Sequence, residues 1–282
     1  MTKALTLSVA LAMLLVGVSP VVAQPPRDPQ EIIRQIQALG WRHGPADAEI
    51  GGLATLKVPK GLSFLDGPNT RKFLELNLNP PRDNHYTLAT QDLSWFAVFH
   101  FEDSGYVKDD EQLDPDALLK SLQASDGRAN DERKRLSMPA IYTDGWHVPP
   151  HYDAQTKRLE WGVKLRQSDA NALIVNYTIR ILGRRGVMHA TLVSSPEDLD
   201  KDIVAFKSAL GGYGFVPGER YAEFRAGDRV AEYGLAALVL GGAAAVATKT
   251  GFGKALIKLI GVGAVALFAA IGAFFRRFTR RS

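Results

Sequence analysis

Acidic residues are absent from both ends of this chain. All 30 Asp and Glu lie between Asp28 and Glu232, whereas the 282-residue sequence continues past Glu232 with apolar runs and with Lys249, Lys254, Lys258, Arg276, Arg277, Arg280 and Arg281. Ionised carboxylates are among the costliest groups to place in hydrocarbon, and bases beside apolar helices are drawn to anionic lipid surfaces. The pattern predicts two environments for one polypeptide, water for the middle and lipid for the end. The formal net charge of +4 combines a mildly acidic body with this basic tail. It is no sign of nucleic-acid binding, and no nucleic-acid partner is expected; the expected partner at this end is a lipid bilayer.

The N-terminus, MTKALTLSVALAMLLVGVSPVVAQPP, has the order of a secretory signal: one Lys, an apolar run from Ala4 to Val18, the Ser19-Pro20 break and small residues before Gln24. Cleavage is expected after Ala23, giving a signal over residues 1–23. An uncleaved anchor is the alternative, although the run is shorter than the roughly 20 residues a span needs. Residues 231–282 read as a membrane anchor with two apolar segments, 233–248 and 255–275, and a basic tail. The second segment, whose Lys258 can snorkel, is the better span. KTGFGK between them is a turn, and Ala237, Gly241 and Ala245 at i,i+4 spacing permit close helix approach. With one full crossing, RRFTRR ends in the cytoplasm as the positive-inside bias requires; a two-crossing hairpin is the alternative. The expected location is the bacterial inner membrane, with the body over residues 24–230 facing the periplasm.

No cysteine is present, which excludes thiol nucleophiles, cysteine zinc sites and a lipid-modified Cys. The body must stand on its apolar core without disulfides, as its size permits. DPQEIIRQIQALG reads as a short helix capped by Asp28 with Ile32, Ile33, Ile36 and Leu39 on one face. AEIGGLATLKVPKGLSFLDG alternates as a strand, PNTRKFLELNLNPP reads as a short helix, and LSWFAVFHFED as a strand buried on both faces. AIYTDGWHVPPHYD, RLEWGVKLRQ and ALIVNYTIRIL follow as strands, the last leading through a GRRG hairpin with solvated arginines to VMHATLVSS. SSPEDLDKDIVAFKSALGG closes the body with a helix. The expected fold is α+β, a mainly antiparallel sheet with flanking helices followed by a C-terminal pair of membrane helices.

The stretch SGYVKDDEQLDPDALLKSL carries five acids. An EF-hand would need a Gly at its sixth position and a Glu at its twelfth, and no register starting from Asp109, Asp110 or Asp114 supplies both. Asp114 instead reads as the N-cap of a helix with Pro115 at its first position and Asp116 facing its positive end. Asp109, Asp110 and Glu111 are left in the connecting loop, as a solvated charge run, a weak cation site or a polar docking patch. DGRANDERKR, from Asp126 to Arg135, reads as a charged mobile segment.

GxSxG, HExxH, Walker and GxGxxG motifs are absent, and no cofactor is expected. Only HVPPHYD gathers potential metal ligands, His147, His151 and Asp153, in a loop stiffened by two prolines. One short loop rarely completes a four-coordinate zinc site, so they are weak candidates. Trp146, Tyr152 and Trp161 lie around the same hairpin. The candidate binding residues are Tyr106, Lys108, Asp109, Asp110, Trp146, His147, His151, Tyr152 and Asp153, on two loops over a rigid sheet.

The ordered series VPKGLSFLDG, GYVKDDEQLDPDALL, DGWHVPPHYDAQTKRLEWGVKL, VNYTIRILGRRGVM and FVPGERYAEFRAGDRVAEYGLAALVLGG resembles one family, the bacterial membrane-anchored proteins grouped as domain of unknown function 2167. The resemblance covers nearly all of the chain after the signal and implies an extracytoplasmic domain with a C-terminal anchor. It implies no reaction. The VPKGL start and the final hairpin and helix also resemble small sandwiches of the PsbP type, a likeness of fold alone. The expected function is a non-catalytic binding or scaffolding module of the cell envelope, partnered by an envelope protein or membrane protein. Two alternatives are an envelope hydrolase or metal-dependent enzyme using HVPPHYD, and an accessory subunit of a membrane transporter.

Overall fold

The computed structural model describes residues 28–241, apart from residues 78, 80, 136–138 and 169–172. Helix α1 (Pro29–Gln37) starts as its sequence predicts, with Asp28 accepting a hydrogen bond from the Gln30 amide. Strands β1 (Arg42–His43), β2 (Ala46–Ile50), β3 (Ala54–Val58) and β4 (Leu62–Leu65) follow, then helix α2 (Gly67–Leu76), capped by Asp66. Next come β5 (His85–Thr90), β6 (Trp95–Glu102), helix α3 (Pro115–Arg135) and four long strands, β7 (Ile141–Asp153), β8 (Arg158–Gln167), β9 (Leu173–Leu182) and β10 (Val187–Ser194). Helix α4 (Leu199–Ala209), strand β11 (Tyr213–Phe215) and the short helix α5 (Leu235–Val239) complete the described chain.

Every pairing in the large sheet is antiparallel, in the order β1-β4-β5-β6-β10-β9-β8-β7, and β11-β3-β2 form a second, small sheet. The single strand expected around AEIGGLATLK is a β2–β3 hairpin. Gly51 and Gly52 both take positive φ, +62° and +68°, which the tight turn between two twisted strands requires.

The period-2 alternation of β6 divides the core. Trp95, Ala97 and Phe99 face the small sheet and α4, where Phe206 meets Trp95 and Phe99 edge-on. Phe96 and Val98 point the other way, onto Ile32 and Ile36 of α1 and Phe73 and Leu74 of α2. A third cluster lies toward β8 and gathers Val107, Leu118, Trp161, Leu182, Val187 and Tyr221. The expected α+β class and the burial of both faces of β6 are both found.

Several expectations are corrected. DGRANDERKR is no mobile segment but the second half of α3. Asp126 accepts from the amide and hydroxyl of Thr143, and the Asn130 side chain pairs with both the N–H and C=O of Ile141, so the polar residues lay the helix along the edge of β7. The arginines of GRRG are not free in solvent. Arg184 forks onto Asp228 with two bonds of 2.7 Å, and Arg185 forks onto Glu219.

The first apolar segment, 233–248, starts as part of the folded body. Its described part folds as α5, with Leu235, Leu238 and Val239 buried in the third core cluster. Glu111 accepts from the Ala236 amide at the helix start, and Gly241 takes a φ of +113° at its end. Ala237 and Gly241 therefore belong to a short terminated helix; Ala245, the turn KTGFGK, the segment 255–275 and the signal over 1–23 lie outside the described residues. Among the described residues no helix is long and apolar enough to cross a membrane.

Candidate functional site

The two stretches singled out by sequence meet in space. After β6 the chain passes Gly105 at positive φ, and Tyr106 pairs with the backbone around Val230. This puts Asp109 against the β7–β8 hairpin, where its Oδ2 accepts from the Tyr152 hydroxyl at 2.7 Å and from Lys157 Nζ at 2.8 Å. Burial alone would raise the Asp109 carboxyl; the bonds from Lys157, Tyr152 and Tyr221 outweigh it and hold the group below its ordinary value. Burial, with the Asp109 hydrogen bond second, pushes the Tyr152 phenol up, so it stays a donor. Beneath, Tyr106 stacks on Tyr221 at a centroid distance of 4.4 Å and meets Phe224 tilted at 4.3 Å, and Lys157 Nζ lies 4.9 Å over the Tyr221 ring.

The acids thus separate by role. Asp109 is an internal tie, Glu111 caps α5, and Asp114 caps α3 by accepting from the Asp116 and Ala117 amides. Asp110 and Lys108 face solvent, flanking the Asp109–Tyr152 bond, with exposed His151 beside Tyr152.

The HVPPHYD stretch is a correction: it lies within β7 and not in a loop. Among the described residues the strand pairs only with β8, and it changes register three times between Thr143 and His151. Pro149 and Pro150 are tolerated because an edge strand needs no outward amides, and bulges with proline protect such an edge from pairing with another chain. The potential ligands diverge. His147 Nε2 lies 2.6 Å from Asp200 Oδ1 on α4, and Asp153 turns its oxygens to Gln155 and Thr156. No group of three or more His, Asp or Glu among the described residues is placed to hold a metal. Trp146 donates its indole N–H to the Pro115 carbonyl at 3.0 Å, closing α3 onto the hairpin.

One constellation escaped the sequence reading. His85, His100, His189 and Arg180 occupy one rung across β5, β6, β10 and β9, each paired with the next. The rings of His85 and His100 stack at 4.6 Å, and those of His100 and His189 lie 4.3 Å apart. Burial, then neighbouring positive groups, depresses His100 and His189 well below the ordinary histidine value, so both are neutral. His189 Nε2 lies 2.9 Å from Glu102 Oε2 but off the line of an N–H bond, and makes no hydrogen bond. The other Glu102 oxygen accepts from the Tyr233 hydroxyl at 3.0 Å. Sequence separations of up to 104 positions hid this row; only strand register assembles it.

The geometry defines an α+β domain with a bulged edge and an internally tied polar seam. The chain belongs to the family of proteins of unknown function DUF2167, whose profile matches residues 42–272. A solved structure that matches part of the chain is the solution structure of cyanobacterial PsbP (CyanoP) from Synechocystis sp. PCC 6803, at 7% identity, a TM-score of 0.35, and coverage of 63% of this chain and 92% of that one. No curated protein matches the chain.

Proposed function

We propose that the protein is a membrane-tethered, periplasmic binding or scaffolding module of the bacterial envelope, not an enzyme. The observation that carries this reading is the Asp109 tie to Tyr152 and Lys157. It consumes the most reactive-looking groups of both stretches in mutual contacts and leaves Lys108, Asp110 and His151 outward as a rigid polar patch, suited to docking an envelope or membrane-protein partner. The apolar signal order of residues 1–23 and the apolar run 255–275 support tethering by a lipid bilayer.

Burial of Leu235 and Leu238 in the body supports a single crossing by residues 255–275, since the first segment starts as part of the water-facing fold. The hydrolase reading gains nothing from His147, His151 and Asp153, which turn to different neighbours or to solvent. Alkaline extraction of membranes, with protease added to intact cells and to spheroplasts, tests the placement. The chain is expected to stay with membranes and its body to become cleavable once the outer membrane is opened. A full-length chain in the soluble cytosolic fraction overturns the proposal. Crosslinking in membranes with Lys108→Ala, Asp110→Ala and His151→Ala tests the patch, whose loss is expected to remove partner adducts while leaving the protein folded; adducts identical to wild type count against it.

A further inference from the structure

Among the described residues, large apolar side chains stand exposed at Tyr142, Val204, Phe224 and Val230. Single exposures of this kind are ordinary. Phe224 and Val230, 39% and 40% exposed, differ because both lie against Tyr106: the Phe224 ring is 4.3 Å from the Tyr106 ring, and the Tyr106 backbone pairs at Val230. The turn between them is ordered by its own polar groups. The Asp228 amide donates to the Arg225 carbonyl, Gly227 takes a φ of +96°, and the Asp228 carboxylate accepts from the Arg225 amide and from the Arg184 fork. Neighbouring acids are spent likewise, Glu219 on Arg185, Glu223 on the Gly218 and Arg220 amides, and Asp103 on Arg229. At the tip Ala226 is exposed, with exposed Arg225 between it and Phe224. A fixed turn that holds apolar side chains in water loses solvation free energy that polar residues would keep, and such patches mark contact surfaces.

The place of the turn in the chain supplies the partner. Tyr106, Tyr221, Ala231 and Tyr233 share an apolar cluster with Leu235 and Leu238 of α5. The described residues end at Gly241, just past α5, and the apolar run beginning at Ala255 follows about 14 residues later, at most about 50 Å away when fully extended. The tether therefore leaves the body from the same cluster that carries this turn.

We propose that the turn from Phe224 to Val230 is a second contact of the body with the bilayer, seated in the headgroup layer beside the anchor. The inference rests on the tethering reading and adds which face of the body lies on lipid. Phe224, Val230 and the Ala226 methyl enter the apolar boundary, and Tyr106 behind them is the kind of amphipathic ring that collects at this level. The Arg225 guanidinium keeps its charge at the surface, where lipid phosphate accepts its hydrogen bonds. Because Asp228 and Arg184 already order the turn, contact with lipid requires no refolding.

The chain has no cysteine, so one introduced thiol reports one place. Full-length Ala226→Cys, carrying an environment-sensitive nitrobenzoxadiazole label, is reconstituted into phosphatidylethanolamine–phosphatidylglycerol vesicles. Gln91→Cys is the control, since Gln91 is exposed in the turn before β6, about 25 Å along that strand from Glu102 and the end that carries the turn. Emission from position 226 is expected to shift to the blue and to be quenched several-fold more by lipid bearing a shallow nitroxide than emission from position 91. Phe224→Ser with Val230→Ser is expected to remove the shift while the protein still floats with the vesicles. Equal quenching at positions 226 and 91, on protein that floats, overturns the contact and leaves the tether standing. A chain that fails to float overturns the tether, and this inference with it. A label at position 226 that is shielded in native membranes but not in pure lipid assigns the turn to a protein partner and equally overturns the lipid contact. The singly labelled chains decide the matter even where the Ser variants fail to fold.

Discussion

Tyr152 donates a 2.7 Å hydrogen bond to Asp109 across 43 positions of sequence. The bond joins the connection after β6 to the β7–β8 hairpin, and it closes the body over Tyr106 and Tyr221. Residues that look like a site in the sequence are thus partners of one another.

Removing that bond should cost about 1 kcal/mol in Tyr152→Phe, with a larger loss in Asp109→Ala, which strands Lys157 as well. A double-mutant cycle by urea unfolding should show a coupling of roughly 0.5–2 kcal/mol between the two positions. Strict additivity would mean that the contact contributes nothing in solution.

Leu238 is 1% exposed and sits in the core cluster it shares with Trp161 and Tyr221. Leu238→Ala should therefore destabilise the body by about 2–4 kcal/mol through lost burial and a residual cavity. Denaturation of the detergent-held chain, followed by tryptophan fluorescence, checks it. A change below a few tenths of a kcal/mol would return this segment to the membrane.

Asn130 bonds both backbone groups of Ile141. Asn130→Ala should lower stability by about 1–3 kcal/mol and lift α3 from the β7 edge, exposing strand backbone to other copies. Unfolding curves and light scattering at rising concentration report the two effects separately.

The histidine rung makes stability pH-dependent in a stated direction. His100 and His189 are depressed in the folded state, so between their folded values and about 6.5, the ordinary histidine pKa, the unfolded chain binds more protons. Stability from this source is complete above about pH 6.5 and is lost as pH falls toward the folded values. The groups facing one another there are His85, His100, Glu102, His189, Arg180 and Tyr233. His189→Gln should flatten the fall in Tm between pH 7 and pH 5; an unchanged slope would remove His189 from the effect.

Asp228 is held down to about 2, first by its hydrogen bonds from Arg184 and then by the Arg225 amide. Carbon NMR of the carboxyl should show titration near that value in wild type and a return toward the ordinary Asp range in Arg184→Met. Identical titration in both would break the assignment of cause.

Much of the architecture was legible because its causes are local. Asp28 and Asp114 mark helix starts, each with a proline in the first turn, and the alternation of β6 and β3 marks two-sided strands. The glycine pair at 51 and 52 was legible too, yet its hairpin was read as one strand, since turn strength depends on the pairing it permits. α3 was cut short for a related reason: Asp126 and Asn130 look like solvated residues until Thr143 and Ile141 arrive to bond them. The candidate stretches around Asp109 and Tyr152 were found, but as free groups.

Charge distribution and local pattern, then, determined that the acid-free ends differ from a charged, cysteine-free middle, and that the middle is an α+β domain, because periodicity and capping act over a few neighbours. Only the tertiary structure decided which polar groups are spent on one another and which stand alone. Asp109 found Tyr152 and Lys157, Leu235 and Leu238 found the body core, and Arg180 found three histidines on one rung with Glu102 nearby. Those outcomes follow from strand register and helix docking, which bring together residues that no window of sequence contains.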